Sequence, residues 1–135
     1  MIKLFTDTSA NLPVSIIREY GIEVVPFSYT VNGKEVPYSA ETDFNGKAFY
    51  EAMRAGAEVK TSMINVSDFM AAFEQWIAKG DAVIYVGMSG GISGTAHSAK
   101  LAAEELLEKY PAAKIAAIDT YAASLGEGFL VIETA

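Results

Sequence analysis

The chain has 135 residues, 10 basic and 17 acidic, and its net charge of −7 disfavours a nucleic-acid or anionic-membrane partner. Half of it is hydrophobic (51%) and a fifth charged (20%), a globular composition sufficient for one domain that buries about two thirds of its unfolded surface. Zero cysteines exclude disulfides and thiolate metal sites, and the single histidine excludes a multi-histidine one.

From the amino terminus, Ile2 to Phe5 read as a short strand ending at Thr6-Asp7-Thr8-Ser9. Met1 enters it with no apolar signal core, so a cytoplasmic location is expected. No run approaches the eighteen or so apolar residues of a membrane helix. Leu12, Ile16, Ile17 and Tyr20 keep helical spacing, with Asn11 as cap, Pro13 in the first turn and Gly21 at the exit. Glu23 to Val31 is extended, with Pro26 marking an edge or an irregularity. Asn32-Gly33 then signals a hairpin that returns through Lys34 to Tyr38. A helix follows behind Asp43, with Phe44, Ala48, Phe49, Ala52 and Met53 as its stripe and Gly56 as its stop. Another stands behind Ser67, with Phe69, Phe73, Trp76 and Ile77, closed by Gly80. Thr61 and Ser62 fall between these two helices, where their plain reading is a turn and a cap. Val83 to Val86 is a buried strand, and Thr95 opens a helix carrying Ala99, Ala102 or Ala103, Leu106 and Tyr110 until Pro111 stops it. Lys114 to Ile118 is a further strand, ending at Asp119-Thr120. Gly126 to Ala135 begins a helix that halts in mid-pattern without a cap, which reads as a chain cut short.

This strand–helix alternation predicts an α/β fold of three layers, α/β/α, around a mostly parallel sheet. Ligands of such sheets sit outside the carboxyl ends of the strands. Three strand ends here carry hydroxyls and carboxylates: Asp7-Thr8-Ser9, Ser89 to Thr95, and Asp119-Thr120. The middle one, Ser89-Gly90-Gly91-Ile92-Ser93-Gly94-Thr95, leaves a strand and opens a helix, so unpaired N–H groups and the helix dipole favour an anion or polar head group there. It is neither Gly-x-Gly-x-x-Gly nor a P-loop. On its own it serves equally well as a packing turn.

Taken together, Thr6-Asp7-Thr8-Ser9-Ala10-Asn11-Leu12-Pro13, Val25-Pro26, Phe49-Tyr50, Lys60-Thr61-Ser62, Ile92-Ser93-Gly94-Thr95, Asp119-Thr120, and Ser124 with Gly126 and Gly128 resemble the DegV family of bacterial fatty-acid-binding proteins. The resemblance covers residues 1–135 and keeps the family order, but it covers only the first of the family's two domains, so the second, lipid-binding domain is expected to be absent. It implies a long-chain fatty acid as ligand and no other cofactor. The carboxylate would be met by Thr61 and Ser93, with Ser62, Gly94 and Thr95 completing the head-group site. It further implies a carrier that presents the acyl carboxylate to a fatty-acid kinase and is not itself an enzyme. With one wall of the tail slot missing, weakened acyl binding and self-association through the exposed domain face are expected. Met63-Ile64-Asn65 stands where many members have Gln-Pro, and His97 where the family tolerates several residues.

Asp7 and Asp119 would repel a bound carboxylate, so a loop-ordering role suits both. Ser93 has no base in the sequence to make it a nucleophile. No catalytic or metal-binding residue is therefore expected. Two other readings stay open: a phosphoryl- or small-molecule-transfer α/β enzyme, for which Lys60 and His97 are the candidate groups, and a structural fragment that binds nothing.

Overall fold

The computed structural model describes residues 1–135 throughout. In chain order it contains β1 (Ile2–Asp7), a 3-10 turn (Thr8–Ala10), α1 (Val14–Tyr20), β2 (Glu23–Val25), β3 (Tyr29–Val31) and β4 (Lys34–Val36). Then come α2 (Gly46–Arg54), β5 (Val59–Thr61), α3 (Val66–Ile77), β6 (Ala82–Gly87), α4 (Thr95–Lys109), β7 (Ile115–Asp119) and α5 (Leu125–Thr134).

Strands β1 and β6 are apolar on both sides, so both belong in the middle of a covered sheet. The main sheet runs β2-β1-β6-β7 with every pair parallel, Phe5 beside Tyr85 and Tyr85 beside Ala117. One face presents Phe5, Val83 and Tyr85 to Phe69, Phe73 and Ile77 of α3 and to Ala99, Ala102 and Leu106 of α4. The alanines let α4 approach the sheet closely. The opposite face gathers Leu4, Val86, Ala10, Ile22 and Val131, with Ile17 of α1 packed against them. Helices on both faces of a parallel sheet make the three-layer α/β/α fold that the alternation predicts. Edge-to-face pairs, Phe5–Phe73 at 5.1 Å and Phe69–Tyr85 at 4.9 Å, tie the larger core together. Each such buried ring is worth about 1.5–3 kcal/mol relative to exposure.

A second, antiparallel sheet of order β4-β3-β5 forms an arm. Asn32 and Gly33 both take positive φ (50° and 75°), the turn that the Asn-Gly pair predicts. Phe44 and Phe49 pack on Tyr29 of this arm, at 6.3 and 5.6 Å between ring centroids.

Several local expectations are corrected. The extended run Glu23–Val31 is two strands in two different sheets, because Pro26 has no N–H to continue a ladder. Asn11 does not cap α1; it closes the 3-10 turn at φ 51°, and Pro13 holds the N-cap position. The amide of Val14 is instead capped from afar by Asp43 Oδ1 at 2.7 Å. That leaves Asn45 to cap α2, with Phe44 outside the helix, and Asn65 rather than Ser67 caps α3. Thr61 is no turn residue: it ends β5, paired with Tyr29.

Candidate functional site

Parallel pairing of β1, β6 and β7 brings their carboxyl ends side by side, and the three polar clusters of the sequence meet there. At the end of β1, Asp7 is 2% exposed. Its Oδ1 accepts from the Ser9 N–H at 2.8 Å and from the Ser9 hydroxyl, and its Oδ2 accepts from the Tyr85 phenol at 2.5 Å. Burial first, and then the charge of Asp7, hold the Tyr85 proton well above the ordinary phenol range. Asp7 therefore orders the strand end, as expected of it, and presents no free lone pair to solvent.

Asp119 has the same role at the end of β7. Its carboxylate accepts from the N–H of Tyr121 at 2.9 Å and of Gly90 at 3.0 Å, stitching two loops together. The hydrogen bond from Tyr121 is the main reason that its carboxyl titrates below the usual range. Thr120 completes the stitch by donating its hydroxyl to Gly87 O at 2.8 Å.

In the loop between β6 and α4, most of the N–H groups face inward rather than toward an open anion site. Gly90 N serves Asp119, Gly91 N serves Ser89 Oγ, and the amides of Ile92 and Ser93 both reach Ser89 O. The Ser93 hydroxyl lies 3.0 Å from Thr95 Oγ1 and accepts from Thr95 N at 3.2 Å. The N–H groups of Gly94, Ala96 and His97 have no partner in the chain. The receptive donors are thus Gly94 and the first turn of α4, and not Gly90 or Gly91. Thr95 is buried, Ser93 half-buried, and Gly94 and His97 exposed.

Thr61 and Ser62 arrive from the arm. Both are exposed, and Ser62 N donates to Ser28 O at 2.9 Å. The next residue touches the loop: a Cβ on Gly94 would lie 3.0 Å from Met63 Sδ, so glycine leaves the room that the thioether occupies. Through this contact Met63, two residues beyond the end of β5, abuts Gly94 at the start of α4. Lys60 is turned to Glu58, with Nζ 2.9 Å from Oε1.

One functional-looking residue escaped the sequence reading. Glu127, in the first turn of α5, is completely buried beside Asp7 and Ser9. Its signal was a single acidic residue between two glycines in an otherwise apolar helix start, Leu125-Gly126-Glu127-Gly128-Phe129.

The sequence model of the DegV family, described as uncharacterised proteins, matches residues 1–135. A DegV domain-containing protein of Clostridium perfringens is 38% identical over 128 residues, which cover 95% of this chain and 44% of that one. A solved DegV family protein from Thermus thermophilus, described by its fatty acid binding, superposes with a TM-score of 0.81 at 30% identity, covering 98% of this chain and 45% of the other. DegV from Bacillus subtilis, described as a fatty acid binding protein, gives a TM-score of 0.80 at 25% identity, with 97% and 45% covered. The chain spans about half the length of the relatives it matches. No helix is long and apolar enough to cross a membrane. A family match from the first residue to the last, with the same fold in its solved relatives, makes this chain a member of the DegV family.

Proposed function

We propose that this chain is the first of two domains of a fatty-acid carrier and holds the carboxylate of a long-chain fatty acid between β5 and α4. The hydroxyls of Thr61, Ser62 and Ser93 and the N–H groups of Gly94 and its helical neighbours would share the four or so lone-pair positions of the carboxylate. No basic residue is needed for this, because hydroxyls and amides at a helix N-terminus stabilise a negative charge together. The observation that carries the reading is the seating of Met63 on Gly94, which joins the two segments at unpartnered N–H groups. The described ligands of the Thermus thermophilus and Bacillus subtilis relatives support the ligand class.

The energy of binding would come from the tail, at about 0.8 kcal/mol per buried methylene, or on the order of 10 kcal/mol for a long acyl chain before ordering costs. With one wall supplied by another domain, the isolated chain would bury only one side of the tail and bind it weakly. As a carrier in the cytoplasm, the protein would present the carboxylate to a fatty-acid kinase and perform no chemistry itself.

Mass spectrometry of lipid extracted from the purified two-domain protein tests this. A long-chain fatty acid is expected, and its retention should fall at least tenfold in Thr61→Ala and Ser93→Ala, each removing a donor to a charged group worth about 1.5–3 kcal/mol. Unchanged acyl content in both variants would overturn the site, and absence of any acyl lipid would overturn the ligand.

A further inference from the structure

The hydrogens around Glu127 are one too few to satisfy its contacts with both buried carboxyls ionised. Ser9 Oγ touches Asp7 Oδ1 and lies 2.8 Å from Glu127 Oε2, yet a hydroxyl has one hydrogen to give. Whichever carboxyl it serves, the other must supply a hydrogen of its own. Asp7 already accepts on both oxygens, from Ser9 N at 2.8 Å and from the Tyr85 phenol at 2.5 Å. Glu127 has no comparable help. Its other neighbour, Thr6 Oγ1, is 3.5 Å from Oε1, and the Thr6 hydrogen goes to Val86 O at 2.8 Å.

We propose that Glu127 is a neutral acid in the folded protein, donating to Ser9 which in turn donates to Asp7, and that this shared proton controls the docking of α5 onto the end of β1. The titratable groups facing Glu127 are Asp7 from β1 and, beyond it, Tyr85 from β6, with Asp119 of β7 further out. No lysine, arginine or histidine forms an ion pair with either buried carboxyl. Burial foremost, and then the charge of Asp7, push the Glu127 carboxyl up to about 8, in keeping with the hydrogen count. Loss of the proton leaves two like charges bridged by one serine, and α5 is the movable partner, since Glu127 is its sole polar anchor in this cluster.

The sign follows from where each state holds the proton. Unfolded, Glu127 ionises near its ordinary value of 4.5; folded, it keeps its proton to about 8. Between those values unfolding releases a proton, so the unfolding constant rises about tenfold per pH unit and levels off above the window. Wild-type protein and Glu127→Gln are compared by urea unfolding from pH 5.5 to 9. The midpoint should fall with pH in the wild type and stay flat in Glu127→Gln, whose amide N–H can replace the acid hydrogen. An equal slope in both would overturn the proposal. Should Glu127→Gln fail to fold, carbon-13 NMR of the wild-type glutamate carboxyls decides: a buried carboxyl titrating near 8 supports the shared proton, and all of them titrating near 4.5 overturns it. This holds whether or not a fatty acid is the ligand.

Discussion

Tyr85 couples the core to the strand ends, because its ring packs on Phe69 while its phenol serves Asp7. Replacing it with phenylalanine keeps the packing and deletes one donor to a buried carboxylate. Tyr85→Phe is therefore expected to cost about 1.5–3 kcal/mol of stability, measured by urea unfolding near neutral pH. A midpoint equal to that of the wild type would show that the bond merely replaces one to water. The ordering roles of Asp7 and Asp119 were legible in the sequence, because each ends an apolar strand where a second carboxylate would repel a bound one; in the fold each accepts from the amide two residues on. Glu127 was not. Its partners lie in Thr6-Asp7-Thr8-Ser9, at the far end of the chain, and no local pattern announces a contact that only tertiary folding creates.

Among the elements, those with long apolar periodicity were readable: β1, β6 and β7, and the stripes of α3 and α4. β5 escaped notice since Val59-Lys60-Thr61 has a single inward side chain and draws its order from pairing with β3. Caps moved by a few residues where two capping residues stood close together: Asp43 is drawn away to the distant Val14 amide, which leaves Asn45 to take the Ala48 amide. The attachment of α5 includes one close approach of backbone to backbone. A Cβ at Gly128 would stand 2.7 Å from the backbone oxygen of Ala10 and 3.0 Å from Leu12 Cδ2. Backbone cannot rotate away as a side chain can, so Gly128→Ala should destabilise by about 1–3 kcal/mol. That sign opposes the roughly 1 kcal/mol that alanine gains over glycine in a helix. Thermal unfolding distinguishes the two: a higher melting temperature in Gly128→Ala would mean that the contact yields freely.

At the scale of the whole molecule, large apolar side chains remain in solvent around the carboxyl end of the sheet. Ile92 is 67% exposed, Tyr121 86%, Leu125 75% and Phe129 62%. Monomeric proteins seldom leave more than a few hundred Å² of contiguous apolar surface uncovered. The isolated chain should therefore self-associate, with a mass by light scattering that rises with protein concentration; a constant monomer mass across the range would refute this. The division into a parallel body and an antiparallel arm has another consequence. Thr61 ends a strand of the arm, whereas Ser93 lies in a loop of the body, and the arm is held largely by its own rings, Tyr29, Phe44 and Phe49. Small sheets with little burial open locally long before the global unfolding event. In native-state hydrogen exchange the arm amides, such as that of Ser62, should lose their protons well ahead of those in β1 and β6. A carboxylate gripped from both sides would fasten arm to body, and the two exchange classes would draw together as the fatty acid is added.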